Sequence, residues 1–125
     1  IAADASTTVV IGAGASSGTG NLGVIIGQNA SVGNFGGATV IGNSAAGTNI
    51  NIIAIGRDAA VSGLRGVGVG YEVSVTQQEG IAIGYAAIVA GTSGTAVGAL
   101  ADRVVSFLES ACPNRRFGSS KYMTM

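Results

Sequence analysis

The sequence predicts an all-β chain, a parallel β-roll of about seven 14-residue coils, from a four-residue pattern that recurs along it. One copy is Ile53-Ala54-Ile55-Gly56, and the pattern occurs seven times in all. The closing glycines lie 15, 15, 14, 14, 14 and 14 residues apart: Gly12, Gly27, Gly42, Gly56, Gly70, Gly84 and Gly98. Three residues after each glycine stands alanine, or valine in one copy. A fixed period of this length indicates stacked coils.

Each repeat has room for two strands and two turns. The first strand is dense in Val and Ile, and the second is lighter, as in Val73-Ser74-Val75. Short Val- and Ile-rich runs between Gly, Asn, Ser and Thr are typical of β-strands. Successive coils should therefore pair in parallel, ~4.8 Å apart. The two longer repeats should place their extra residue in the return loops, residues 18–23 and 34–37.

The period divides the chain into three parts. Residues 1–8 read as a polar lead-in, 9–101 as the β-roll, and 102–125 as a non-repeat C-terminal tail that caps the stack. In the tail, the glycine expected near position 112 is replaced by Cys112, which is followed by Pro113. A chain of 125 residues is one domain at most. Because it has no starting Met and no signal-peptide pattern, we expect a fragment or a processed product.

Charge and hydropathy exclude two classes of partner. Six basic and six acidic residues give a net charge of zero, so no electrostatic case for nucleic acid exists. No apolar run approaches the ~18 residues of a membrane helix, and we expect no membrane insertion by this segment. The tail carries a basic cluster that reads as a solvated end or as a docking or sugar-binding site. Its members are Arg103, Arg115, Arg116 and Lys121.

The first strand is apolar on both faces, which predicts self-association. Alternate residues of a strand face opposite sides, so a lone coil would expose a long apolar stripe. We expect a homotrimer around a common axis, although the pattern alone does not exclude a dimer. Small residues would fill the thin interior (Ala54, Ala59, Ala82, Ala87); this assignment rests on size, and the reverse stays open. The predicted trimer interface comprises Val24, Ile26, Ile41, Ile53, Ile55, Val67, Val69, Ile81, Ile83 and Val97.

Three motifs suggest enzymes or metal sites, and each lacks a required part. Residues 9–14 with Gly18 look like a dinucleotide-binding turn, which needs a following helix and an acidic residue ~20 positions on. Residues 5–57 contain no Asp or Glu. Residues 26–33 resemble the hexapeptide repeats of acyltransferases, but the period is wrong and the chain has no histidine. Calcium-binding rolls repeat Gly-Gly-x-Gly-x-Asp, whereas the carboxylates here are scattered.

Cys112 could be a nucleophile, but without histidine it lacks its usual activating base. A structural or chance thiol is the alternative. We therefore predict no enzymatic activity, with no catalytic residue, no cofactor and no metal site.

One surface feature does suggest ligand binding. The residue after the glycine is Arg57, then Tyr71, then Tyr85 in successive coils. Stacking should bring these side chains ~5 Å apart, close enough for a cation over a ring and for ring on ring. Exposed aromatics with an arginine suit a protein or sugar ligand, although these side chains could merely shield adjacent turns. Phe35, in the longest return loop, is a further ligand-binding candidate.

The pattern Val/Ile-Ala-Ile-Gly-x-x-Ala-x-Val at this period resembles the YadA-like head domain of trimeric autotransporter adhesins over residues 9–101. That resemblance implies a left-handed parallel β-roll in which three chains form a fibre head at a bacterial surface. The expected function is attachment to a host surface protein or glycan, or to extracellular matrix, at an extracellular location. The tail faintly resembles the neck of that family without its usual ending. The same repeat also occurs in bacteriophage tail fibres and tailspikes, so a structural or receptor-binding role in a virion remains the alternative.

Overall fold

The computed structural model describes residues 8–19, 22–34 and 36–103, and of Arg103 only the backbone. These ranges contain short strands and no helix. The first strands of the coils are β1 (Thr8–Ile11), β3 (Gly23–Ile26), β5 (Ala38–Ile41), β7 (Ile53–Ile55), β9 (Val67–Val69), β11 (Ile81–Ile83) and β13 (Thr95–Val97). The second strands are β2 (Ser16–Ser17), β4 (Ser31–Val32), β6 (Ala46–Gly47), β8 (Ala60–Val61), β10 (Ser74–Val75), β12 (Ile88–Val89) and β14 (Asp102–Arg103).

The strands form two parallel sheets, and the chain is a β-solenoid of about six turns. One seven-stranded sheet contains all the odd-numbered strands in order, and the other contains all the even-numbered strands. Partners in register are one repeat apart, so Ile25 pairs with Val40, and Val40 pairs with Ala54. The predicted strands and their parallel stacking are confirmed.

The extra residue of the two longer repeats lies in the return loops, as predicted. The second strands of the first three coils pair 15 residues apart, from Ser16 to Ser31 to Ala46. The first strands of these coils also pair 15 residues apart, and both sets change to a spacing of 14 at the fourth coil, where Thr39 pairs with Ile53 and Ala46 pairs with Ala60. The corner between first and second strand therefore keeps one length throughout, and the variation is confined to the opposite side of the coil.

The small residues predicted for the interior lie there, and two columns of Val, Ile and Thr on the first sheet face outward. Ala54, Ala59, Ala82 and Ala87 are all fully buried. In the first three coils the first sheet also contributes larger side chains to this interior, namely Val10, Ile25 and Val40. By contrast, Ile53 on the outer face is 37% exposed. In the isolated chain, the outer face of the first sheet is consequently an apolar surface.

The glycine ladder is required by how closely successive coils approach. Gly56 has a φ of +132°, a backbone conformation that residues with side chains rarely adopt. A Cβ at this position would also overlap the carbonyl oxygen of Gly70 in the next coil. The recurring glycine therefore reflects both the backbone conformation and the contact between coils.

Candidate ligand-binding ladder at the first corner

The first corner of each coil aligns one side chain with its equivalents above and below. Two residues after each ladder glycine the backbone adopts the left-handed conformation, with φ of +58° at Asp58, +57° at Glu72 and +53° at Ala86. The N–H of Glu72 donates to the carbonyl of Arg57 at 3.0 Å, and that of Ala86 donates to the carbonyl of Tyr71 at 2.8 Å. Because these bonds repeat along the stack, the side chains just before the left-handed residues form a column.

The column, which we call the corner ladder, contains three kinds of contact. It consists of Ala13, Gln28, Asn43, Arg57, Tyr71, Tyr85 and Ala99. The Nδ2 of Asn43 donates to the Oε1 of Gln28 at 2.9 Å. The guanidinium carbon of Arg57 lies 5.0 Å from the ring centroid of Tyr71. The rings of Tyr71 and Tyr85 stack, with centroids 5.5 Å apart and an interplanar angle of 14°.

The predicted proximity of Arg57, Tyr71 and Tyr85 is confirmed, and the contacts fix their orientation. The Nε of Arg57 forms an ion pair with the Oδ2 of Asp58 at 3.2 Å. Its Nη2 lies 3.5 Å from the hydroxyl oxygen of Tyr71, a long contact that is weaker than a normal hydrogen bond. Tyr85 as a whole residue is 53% exposed. A solvent-accessible aromatic face of this kind can contact a ligand without rearrangement of the backbone.

Two carboxylates flank the ladder and influence its ionisation. A hydrogen bond with Glu72 is the main reason that the pKa of the Tyr71 phenol is raised, and partial burial adds to it. The charge of Arg57 opposes this shift. The hydrogen bond with Asp58 likewise raises the pKa of Arg57, so the guanidinium stays charged. With one cation and two carboxylates, Arg57, Asp58 and Glu72 together carry a net negative charge.

The predicted interface residues lie in two columns on the outer face of the first sheet. Ile53, Ile81, Ile83 and Val97 are exposed, with Val97 at 65%. Val24, Ile26, Ile41, Ile55, Val67 and Val69 are half-buried. This face is separate from the corner ladder, which lies beyond the glycine that closes each first strand. The role of the predicted interface residues in assembly stays a prediction.

Other candidates lie outside the described residues. These are Phe35, Cys112 and three members of the basic cluster, Arg115, Arg116 and Lys121; the side chain of Arg103 is likewise not described. Their predicted roles stay predictions.

Sequence reasoning missed a shallow polar groove at the second corner. Its volume is about 440 Å³, and it is lined by Asn49, Ser62, Gly63, Leu64, Thr76, Gln77, Gln78 and Thr92. Beside it, Arg65 and Glu79 form an ion pair at 3.4 Å. Ser62 and Thr76 stand one period apart, and this spacing is the signal that could have located the groove.

Among the residues that the structure describes, no group of three or more potential ligands could hold a metal ion. The same residues include no helix long and apolar enough to cross a membrane. Comparison with protein-family models found no match to the chain. A search of curated proteins also found no match.

Proposed function

We propose that this chain is one subunit of a non-enzymatic, trimeric fibre head that attaches to a host surface or to extracellular matrix. The roll would be left-handed, with about seven coils in each subunit, and its place would be extracellular, at a cell surface. The observation that carries the proposal is the uncharged outer face of the first sheet. Its two columns contain only Val, Ile and Thr: Val9, Ile11, Val24, Ile26, Thr39, Ile41, Ile53, Ile55, Val67, Val69, Ile81, Ile83, Thr95 and Val97.

Self-association is the physical consequence of such a face. A soluble monomer rarely exposes a continuous apolar surface that runs the length of the molecule. Apart from Ile88, the outer positions of the second sheet are smaller or more polar, as at Ser16, Ser31 and Ser74, so the two faces differ in character. A closed cyclic arrangement would bury the apolar face of every chain, whereas open association would produce endless fibres. The resemblance to YadA-like heads favours three chains.

Light scattering on the purified chain tests the assembly. We expect a single species of three times 12.1 kDa and no stable folded monomer at accessible concentrations. A folded species of 12.1 kDa would overturn the trimer.

Attachment would use one part of the corner ladder, Arg57, Tyr71 and Tyr85, which a trimer presents three times around one rod. Weak contacts at several equivalent sites add through effective concentration, so modest individual affinities suffice. Arg57 and Tyr85 are exposed, and they lie at the corner beyond the closing glycine rather than on the sheet face that carries the apolar columns, so a ligand could reach them in the assembled trimer. The host ligand would be a surface protein or a glycan.

The attachment test starts with a matrix-protein and glycan array on the wild-type trimer. The triple variant Arg57→Ser, Tyr71→Ser, Tyr85→Ser should then keep the trimer but bind the selected ligand at least about tenfold more weakly, a loss of ~1.4 kcal/mol. The variant Gln28→Ser, Asn43→Ser is the matched control, because it disrupts the same column without removing an aromatic ring. Equal affinity of wild type and triple variant would show that the ladder only shields neighbouring turns.

A further inference from the structure

The corner ladder ends in an open aromatic face. One face of the Tyr71 ring is covered by Arg57 and the other by Tyr85. The second face of Tyr85 points toward the next coil, where the ladder residue is Ala99. A methyl group covers little of a phenol ring, and Tyr85 is accordingly 53% exposed. We call the space between the Tyr85 ring and Ala99 the ladder slot.

The chain itself shows which group such a face accepts. At the other end of the aromatic pair, the guanidinium of Arg57 lies 5.0 Å from the centroid of Tyr71. A planar guanidinium is attracted by the negative face of an aromatic ring and stacks on it. The guanidinium of Arg57 therefore covers the outer face of Tyr71. The outer face of Tyr85 has the same aromatic chemistry, and none of the described ladder residues covers it.

The charge around the ladder slot favours a cation. Two carboxylates lie in its neighbourhood: Glu72 is at the same corner, one coil away from Tyr85, and Asp102 follows Ala99 by three residues. In the coils of Tyr85 and Ala99, the residues with the left-handed backbone are Ala86 and Leu100, respectively. Neither side chain is a cation that would compete with an incoming ligand at these positions. Arg57 stands more than two coil spacings from the slot, about 12 Å. Its repulsion on an incoming cation is largely screened at that separation.

We propose that the ladder slot binds the guanidinium group of an arginine side chain on a partner protein. This inference rests on the attachment function proposed above and names its chemical class of ligand. The partner's arginine stacks on the open face of Tyr85, next to Ala99. The stack of Arg57, Tyr71 and Tyr85 then has a guanidinium at each end. Lysine fits less well, because its compact and strongly hydrated ammonium has no planar face to stack. A trimer would offer three such slots.

The experiment compares binding of the full chain, at verified oligomeric state, to two peptide-coated surfaces. One peptide carries arginines separated by Gly-Ser spacers, and the other carries lysines at the same positions. We expect a preference for the arginine surface. Tyr85→Leu should weaken that binding two- to fivefold per slot, as expected for an exposed cation–π contact, while Tyr85→Phe should keep it. Thermal melting of each variant verifies that it is folded.

A second pair of variants separates stacking from charge. Ala99→Arg places a guanidinium of the chain itself in the ladder slot and should abolish the preference for arginine. Ala13→Arg adds the same charge at the same corner position of the first coil, next to Gln28 rather than a ring, and should leave the preference intact. Equal effects of these two variants, or wild-type binding by Tyr85→Leu, would overturn the proposal.

The outcomes distinguish this inference from the proposed function. Array binding by a trimer that shows no Tyr85-dependent preference for arginine would refute the slot and leave attachment standing. A chain that binds nothing on the array but prefers arginine through Tyr85 would refute attachment to host protein, glycan or matrix, and would leave the slot chemistry established.

Discussion

Ile52 fills the space that the absent side chain of Gly47 leaves inside the third coil. The Cδ1 of Ile52 lies where a Cβ on Gly47 would be. Other coils have the reverse arrangement, in which a valine of the second strand is paired with a glycine at the position of Ile52. Val61 with Gly66 and Val75 with Gly80 are two such pairs, and in each the valine methyl group closely approaches the glycine. The same space inside the coil is thus filled from the return loop in one coil and from the second strand in others.

This exchange predicts strong coupling between the two positions. Gly47→Val alone should overfill the coil and lower the free energy of unfolding by about 1–3 kcal/mol. Ile52→Ala alone should leave a cavity and lower it by about 2–5 kcal/mol. The double variant again pairs a valine on the second strand with a small residue at position 52, so its loss should be smaller than the sum by at least about 1 kcal/mol. Denaturant unfolding at one fixed protein concentration measures all three.

The control for this cycle combines Gly47→Val with Val89→Ala, three coils away. That pair shares no partner, so its effects should add. Additive losses for Gly47→Val and Ile52→Ala would show that the two side chains do not share one space.

The glycine ladder predicts a difference between an inner coil and the last one. Gly56→Ala combines an unfavourable φ of +132° with overlap on the carbonyl oxygen of Gly70. Gly98→Ala has a similar φ of +125°, but no atom of the described residues lies within 4 Å of the added Cβ. Both substitutions should destabilise the chain, and Gly56→Ala should cost about 1–3 kcal/mol more because of the overlap. Thermal unfolding of the two variants tests this; equal losses would mean that the contact between coils is unimportant.

The outer face of the first sheet predicts which substitutions stop assembly. Ile55→Asp places a carboxylate on the apolar face and should abolish trimers, because association would bury the charge without a partner. Ala60→Asp adds the same charge on the outer face of the second sheet, where Ala60 is exposed, and should leave assembly intact. Sedimentation at several protein concentrations distinguishes the two. Trimers from Ile55→Asp and monomers from Ala60→Asp would place the interface on the second sheet instead.

A buried substitution should act on the fold rather than on assembly. Ala82 is fully buried between the sheets, so Ala82→Phe should destabilise each chain by overfilling the interior. Circular dichroism at a temperature where wild type is folded should show loss of strand signal. A folded Ala82→Phe chain that merely dissociates would contradict this assignment of the two faces.

The ionisation of Tyr71 predicts a pH dependence. Its raised pKa, caused first by the hydrogen bond with Glu72, means that folding favours the neutral phenol. This contribution to stability is fully present below the unfolded pKa of about 10, and is lost as pH rises through the raised folded pKa. Glu72→Ala should lower the pKa of Tyr71, whereas Glu79→Ala at the second corner should not. An NMR pH titration of the ring signals measures both; identical titration curves for wild type and Glu72→Ala would refute the role of Glu72.

The sequence by itself was sufficient to predict the period, the parallel stacking and the contact between Arg57, Tyr71 and Tyr85. A parallel stack places equivalent residues one coil spacing apart, so any side chains that recur at the same position of the repeat must be neighbours. The same reasoning located the extra residue of the longer repeats, because an insertion in a strand would have broken its register. These features follow from spacing along the chain alone.

Other features were decided only by the tertiary structure. Both faces of the first strand are apolar, so the pattern could not say which face is buried. In the structure the middle residue of the strand faces inward whether it is small, as Ala54 and Ala82, or large, as Ile25 and Val40. The pairing of Gly47 with Ile52 depends on the volume shared by two strands of one coil, which a position-by-position pattern does not contain. The left-handed backbone of Glu72 and Ala86 follows from the corner hydrogen bonds of the stack, since neither residue type favours that conformation on its own.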